Sequence, residues 1–189
     1  MKGQQVVLIP QLAEGGAIQW TMVHGGMVGQ GGNYPAVDMP KGNVKDDIVF
    51  TIVDINNLGV TFDGRVVDNG SNPKALNAIW IAEGSGAPKQ AGAYPGQIDS
   101  VKLQGNARQL VVGDKNDDDA VLNYQLNFVR GGQPVTSIDP EIRNGGGNQI
   151  SLVSWEAVAV VLVGAAVIAL AALQWASYRR IKRMPAGSP

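Results

Sequence analysis

An acidic run is the part of this sequence that most resembles a site for chemistry. It reads Asp-Lys-Asn-Asp-Asp-Asp over residues 114–119. Asp114, Asn116 and Asp118 have the alternate spacing with which an EF-hand calcium loop begins, but its sixth position holds Asp instead of Gly and its twelfth Gln instead of Glu. A turn rich in Asp and Asn between two strands explains the run better. We therefore expect no metal site and keep these three residues only as a weak candidate.

Catalytic groups are equally scarce. The chain has no Cys and a single His, His24, in a glycine-rich stretch. A cysteine nucleophile, thiolate metal sites and disulfides are excluded, and a lone His without an orienting partner is expected to be a solvated loop residue. The carboxylate pairs, Asp46 with Asp47 and Asp139 with Glu141, are ordinary on an acidic surface. We predict a protein that is not an enzyme and holds no cofactor.

Four aromatic residues are candidates for a ligand-binding face. Trp20, Trp80, Tyr34 and Tyr94 could line a cleft or a sugar-binding surface. Large aromatic side chains more often fill a core or cover a strand surface, and this is our expectation for the two Trp residues.

The residues before position 145 form short β-branched runs separated by Gly, Asn, Asp and Pro, which is typical of strands. In the clearest run, Leu122, Tyr124, Leu126 and Phe128 alternate with polar residues, as in a half-buried strand. The pattern predicts strands over residues 47–55, 59–62, 77–82, 97–103, 108–112 and 121–129, with residues 5–9 and 17–23 as further candidates.

We expect these strands to form an all-β domain, an antiparallel β-sandwich of jelly-roll or immunoglobulin-like topology. Turn signals such as residues 56–59, 63–64 and 104–106 lie where strands must reverse. Residues 25–45 contain so much Gly and Pro that they predict a long loop.

Charge divides the chain in two. Residues 1–154 carry 11 basic and 15 acidic side chains, a net charge of −4, whereas residues 155–189 carry four basic side chains and only Glu156, a net charge of +3. An acidic domain without a basic stripe argues against binding to nucleic acid, which depends on clustered Lys and Arg.

A membrane span is predicted near the C-terminus. Residues 157–173 are 17 uncharged, apolar residues flanked by Trp155 and Trp175. A helix over both Trp residues would be roughly 30 Å long, the thickness of the hydrocarbon layer. Indole rings favour the headgroup boundary, and Tyr178 extends that belt. The lipid bilayer is thus one expected partner.

One face of this helix is expected to pack against other transmembrane helices. Small residues recur on it at spacings of four, three and four, which allows backbones to approach closely. The residues of this alanine stripe are Ala165, Ala169, Ala172 and Ala176.

Two features of the sequence predict opposite orientations of the protein in the membrane. The basic residues that follow the span, Arg179, Arg180, Lys182 and Arg183, favour a cytoplasmic C-terminus. The N-terminus shows no export signal, and a span this late leaves the ribosome only after the domain is complete, which favours a tail anchor with a cytoplasmic domain. We expect a single-pass protein of the bacterial inner membrane or an equivalent membrane, and give slight preference to the cytoplasmic domain.

The predicted organisation is a β-sandwich over residues 1–143, a Gly-rich hinge over 144–154, a transmembrane helix over 155–177 and a basic tail over 178–189. This organisation predicts a non-catalytic, single-span accessory or structural subunit of a larger membrane complex. That complex would be an energy-transducing one or part of a membrane-containing virion. The alternative is a membrane-tethered module that recognises a glycan or protein through the sandwich loops.

Overall fold

The computed structural model describes residues 3–39, 45–67, 75–84, 96–117 and 120–143, together with Pro88 and Tyr94. All of them belong to the first of two units, Met1–Ile150; the second is Ser151–Pro189. Among these described residues no helix is both long and apolar enough to cross a bilayer. The predicted hinge, transmembrane helix, alanine stripe and basic tail lie outside the described residues.

The described part of the chain is all-β, as predicted. Its strands are β1 Gly3–Leu12, β2 Ile18–His24, β3 Met27–Gln30, β4 Val37–Asp38, β5 Asp46–Ile52, β6 Val60–Phe62, β7 Val66–Val67, β8 Ala75–Leu76, β9 Ile79–Glu83, β10 Ile98–Gln104, β11 Gln109–Asp114, β12 Val121–Arg130, β13 Gln133–Ile138 and β14 Glu141–Arg143.

Two six-stranded sheets carry the fold. Sheet A has the order β10-β11-β5-β1-β2-β3. Sheet B is organised around β12, which pairs with β9 and β6 along one edge and with β13 and β14 along the other; β4 then pairs with β14. Strands β7 and β8 form a separate two-stranded sheet.

Aromatic side chains join the two sheets into a β-sandwich-like arrangement. The rings of Trp20 on β2 and Phe128 on β12 stack with their centroids 3.9 Å apart. Phe50 on β5 meets Tyr124 on β12 at 5.3 Å. Trp20, only 2% exposed, also donates a hydrogen bond from Nε1 to the carbonyl of Thr136 at 2.8 Å. Its expected role in packing is therefore confirmed.

The alternation predicted for β12 is present in the structure. Leu122, Tyr124, Leu126 and Phe128 are all buried, and the residues between them lie on the other face. Every other predicted strand overlaps an observed strand, with boundaries that differ by a few residues. The hydrophobic pattern therefore located the strands correctly.

The predicted loop over residues 25–45 is wrong in part, because it contains β3 and β4. Gly25 and Gly26 do form a turn, with positive φ at both residues as a type I′ hairpin requires. Gly29 has a different role within β3, because a Cβ there would clash with the carbonyl oxygen of Asn33. Close approach of the backbone, not a loop, requires this glycine.

Two strand pairs are parallel, which corrects the expectation of wholly antiparallel sheets. The central strands β1 and β5 of sheet A run in the same direction, as do β14 and β4 of sheet B. A parallel pair needs a long crossover connection, and the chain between β1 and β5 supplies one by way of β2, β3 and β4.

Tyr124 supplies a test of the core. Its hydroxyl is completely buried with no hydrogen-bond partner among the described residues, and burial raises its pKa well above the ordinary value. A buried hydroxyl without a hydrogen bond lowers stability, and Tyr124→Phe removes it. The free energy of unfolding should therefore stay the same or rise by up to about 1 kcal/mol. Urea denaturation measures this change.

Tyr94→Phe is the matched control. The Tyr94 hydroxyl accepts a hydrogen bond from the backbone N–H of Leu76 at 3.3 Å, so the same deletion there should lower stability by about 1 kcal/mol. A larger loss of stability for Tyr124→Phe than for Tyr94→Phe would contradict the finding that the Tyr124 hydroxyl has no hydrogen-bond partner among the described residues.

Candidate interaction surfaces

The described part of the acidic run begins at the end of β11. Asp114 ends β11, and its Oδ1 accepts a hydrogen bond from the backbone N–H of Asn116 at 2.8 Å. Both side chains are buried, and Asn116 has a positive φ of 52°. Asp118 lies outside the described residues. Within the described part of the chain, no group of three or more His, Asp or Glu side chains could hold a metal ion.

His24 is not the solvated loop residue that we expected. It is the last residue of β2 and only 6% exposed, and its Nδ1 lies 3.0 Å from the carbonyl oxygen of Gln5 on β1. The expectation is wrong because the glycines that suggested a loop begin directly after His24, as the β2–β3 turn.

Asp63, which the sequence placed in a simple turn, is a buried acceptor. It is 2% exposed, and its Oδ1 accepts hydrogen bonds from the backbone N–H of Arg65 at 3.2 Å and from Nε at 2.9 Å. Its Oδ2 accepts from Nη2 of Arg65 at 2.5 Å and from Nδ2 of Asn77 at 2.6 Å. Burial by itself raises the pKa of Asp63, but these hydrogen bonds outweigh it and hold the pKa below its ordinary value.

Asn77 links this ion pair to the outer face of sheet B. Its Oδ1 accepts a hydrogen bond from Nε1 of Trp80 at 3.0 Å, and its carbonyl accepts one from Nδ2 of Asn127 at 2.8 Å. Gln125, directly opposite Trp80 in the β9–β12 pair, donates to Oδ1 of Asn127 at 2.7 Å. We name this surface the tryptophan face; its members are Asn77, Trp80, Asn123, Gln125, Asn127 and Ser137.

The tryptophan face combines an aromatic ring with amides in fixed positions. Trp80 is half-buried, which confirms that it covers a strand surface. The neighbouring charges of Asp63 and Arg65 neutralise each other. Such a face offers stacking and hydrogen bonds without net charge, which suits an uncharged polar partner.

The outer face of sheet A has a different chemistry. Directly opposite residues share a face, and the register aligns Val28, Val23 and Val7 with Thr51 across four strands. Their neighbours along the strands, such as Leu8, point into the core. We name this surface the valine face; its members are Val7, Ile9, Thr21, Val23, Val28, Val49, Thr51 and Val111.

Polar side chains border the valine face, and two of them, Lys102 and Asp47, are charged. Gln30 donates a hydrogen bond from Nε2 to Oγ1 of Thr21 at 2.6 Å, and Gln109 does so to Thr51 at 3.5 Å. In the three cross-strand rows through Val7, Ile9 and Val49, Lys102 is the one charged residue among those described. Val28, on the outermost strand, is 60% exposed.

No protein-family model matches the chain, and no curated protein is significantly similar to it in sequence. Function is therefore inferred from these surfaces.

Sequence reasoning missed the valine face, although a signal was present. Strands β1, β5 and β11 contain continuous apolar runs at residues 6–9, 48–50 and 110–112. Alternation is typical of a strand with one wet face, whereas continuous runs are typical of strands covered on both faces. The tryptophan face was found only in part: Trp80 was a candidate, but its amide partners come from distant parts of the chain.

The lowered pKa of Asp63 predicts how stability depends on pH. A carboxyl whose pKa is lower in the folded than in the unfolded chain stabilises the fold above its unfolded pKa, about 4, and that contribution is lost as pH falls through the folded pKa. Asp63→Asn should lower the free energy of unfolding at neutral pH by about 2 kcal/mol. Denaturation of the variant should also depend less on pH in this acidic range.

Glu14→Gln, on the exposed β1–β2 turn, is the control and should follow the wild type. Equal pH dependence of wild type and Asp63→Asn would show that the Asp63 ion pair contributes nothing to acid stability.

Proposed function

We propose that this protein is a non-catalytic, single-span accessory or structural subunit of a larger membrane complex, in an energy-transducing membrane such as a photosynthetic or respiratory one, or in a membrane-containing virion. Its helix packs beside other transmembrane helices, and its all-β domain, of jelly-roll or immunoglobulin-like class, packs against an extrinsic partner surface. The protein needs no cofactor and binds no nucleic acid.

The valine face is the observation that carries this proposal. A folded monomer seldom leaves a contiguous apolar surface without a partner, and such surfaces mark interfaces when polar residues surround them. Here Gln30, Gln109, Lys102 and Asp47 border the aliphatic centre. The central strands contain continuous apolar runs, which are typical of strands covered on both faces.

The membrane part of the proposal comes from the sequence. Residues 157–173 are uncharged and apolar, with Trp155 and Trp175 at their ends. We favour the bacterial inner membrane or an equivalent membrane, with the domain on the cytoplasmic side.

Replacement of Ala169 by Leu tests helix packing. A larger side chain in the middle of the alanine stripe would separate closely packed helices, so Ala169→Leu should release the protein from its complex. The measurement is the size of the assembly that a C-terminally tagged, full-length chain forms after gentle detergent extraction. The variant should shift to a smaller size than the wild type.

Val167→Leu, on the opposite helical face, is the matched control and should leave the assembly intact. A wild-type protein that emerges alone and monodisperse would refute the accessory role, and release from vesicles by a carbonate wash would refute the membrane span.

A membrane-tethered binding module is the second candidate function, and the tryptophan face favours it. Trp80 is held through Asn77, and Gln125 and Asn127 place amide groups beside it. Sugars present apolar C–H faces for stacking and hydroxyls for hydrogen bonds, so a neutral glycan matches this chemistry. On this hypothesis the binding surface is a sheet face, where the sequence suggested loops.

Trp80→Ala tests the binding module. The full-length chain in detergent is run through native gels that contain soluble starch or hydroxyethylcellulose. The wild type should be retarded, and the variant should lose about 1 kcal/mol of binding, or several-fold in affinity. Gln104→Ala, beside the valine face, should behave as wild type. Equal mobility of wild type and Trp80→Ala in every gel would remove the support for this function.

A further inference from the structure

The amide side chains of the tryptophan face are held in fixed orientations, because their partners can only donate or only accept. The carboxylate of Asp63 accepts a hydrogen bond from Nδ2 of Asn77 at 2.6 Å, and Nε1 of Trp80 donates one to Oδ1 of Asn77 at 3.0 Å. Neither partner can reverse its role, so the Asn77 amide has a single possible orientation. The backbone carbonyl of Asn77 orients Asn127 in the same way, because it accepts from Nδ2 of Asn127 at 2.8 Å.

The same order extends along β12. Since the nitrogen of the Asn127 amide is already placed, its Oδ1 is an acceptor, and Nε2 of Gln125 donates to it at 2.7 Å. Nε2 of Gln125 also lies 3.5 Å from Oγ of Ser137. Asn123, two residues earlier on the same face, donates from Nδ2 to the carbonyl of Gly84. Each amide nitrogen of the tryptophan face thus donates to a group within the protein.

The amide oxygens of this face are used unevenly. Oδ1 of Asn77 and Oδ1 of Asn127 each accept a hydrogen bond from a neighbour on the face. In contrast, neither Oε1 of Gln125 nor Oδ1 of Asn123 has a hydrogen-bond partner in the part of the chain that the structure describes. Both residues are only half-buried. Two acceptors therefore remain for a ligand.

These two acceptors belong to residues beside the indole of Trp80. Gln125 is directly opposite Trp80 in the β9–β12 pair, and Asn123 is directly opposite Ala82. Residues two apart on a strand share a face, so all four lie on the same side of sheet B. Because the indole N–H already donates to Asn77, the ring offers a ligand its apolar surface and no donor. The site combines a stacking surface with two neighbouring acceptors.

We propose that the tryptophan face selects ligands that donate hydrogen bonds, with Gln125 and Asn123 as specificity-determining residues and a neutral, hydroxyl-rich glycan as the occupant. This selectivity rests on the binding-module function above. A hydroxyl donates to an amide oxygen, whereas a methylated hydroxyl, a carboxylate or a sulfate only accepts at neutral pH. The net charge of −4 over residues 1–154 also disfavours anionic sugars.

Blocking the hydroxyls of a polysaccharide tests this selectivity. The full-length chain in detergent is run through native gels that contain soluble starch, hydroxyethylcellulose, or either polymer after O-methylation. Methylation removes the donors and leaves the C–H faces of the sugar rings available for stacking. The wild type should bind the unmodified polymer about tenfold more tightly than the methylated one, because the hydrogen bonds to two acceptors are lost.

Gln125→Met removes one of the two acceptors and should reduce this ratio of affinities to about threefold. The ratio is the readout because damage to the fold would weaken binding to both forms of the polymer alike. Gln104→Met, at the end of β10 in sheet A, is the matched control and should keep the wild-type ratio.

The remaining outcomes separate the selectivity from the binding function. If the methylated polymer retards the wild type as strongly as the unmodified one, the selectivity is overturned and the binding module stands. If neither starch nor hydroxyethylcellulose retards the wild type in either form, both are overturned. A wild-type ratio in Gln125→Met would overturn the role of Gln125. The comparison of polymers with the wild type does not depend on any variant.

Discussion

The contact between Trp20 and Phe128 is the interaction on which the rest of the domain depends. Trp20 comes from β2 in sheet A, and Phe128 from β12, the strand that holds sheet B together. Nε1 of Trp20 also bonds to the carbonyl of Thr136, so the ring fixes the distance and the lateral position of the two sheets. Burial of apolar side chains alone does not fix how the two sheets are placed against each other. A buried indole whose N–H donates a hydrogen bond to the opposite sheet does fix it.

Once the inner faces are joined, the chemistry of each outer face is set by strand periodicity. In β12, apolar residues alternate with Asn and Gln, so the outer face of sheet B becomes a network of amides around Trp80. In β1 and β5, the residues that point outward are apolar like those that point into the core, so the outer face of sheet A is aliphatic. The same fold thus carries one wet face and one face suited to burial.

The sequence predicted what is local and missed what is distant. The alternation from Leu122 to Phe128 depends on neighbouring residues, and it was predicted correctly. The parallel pairing of β1 with β5 could not be read, because pairing partners are chosen by the whole sheet. Asp63 was missed for the same reason: Asn77, 14 residues away, converts a turn carboxylate into a buried acceptor.

The two outer faces also differ in how much they depend on a partner. The amides of the tryptophan face form hydrogen bonds with one another and with Trp80, so this face is stable in water. A ligand would stabilise it only through the new contacts that the ligand makes. The valine face has hydrogen bonds at its margin but aliphatic side chains at its centre. Contact between these aliphatic side chains and water is unfavourable. Any surface that covers it removes apolar area from water. The apolar area that this face still exposes to water is greatest at Val28, which is 60% exposed, and small at Ile9 and Val49, which are buried.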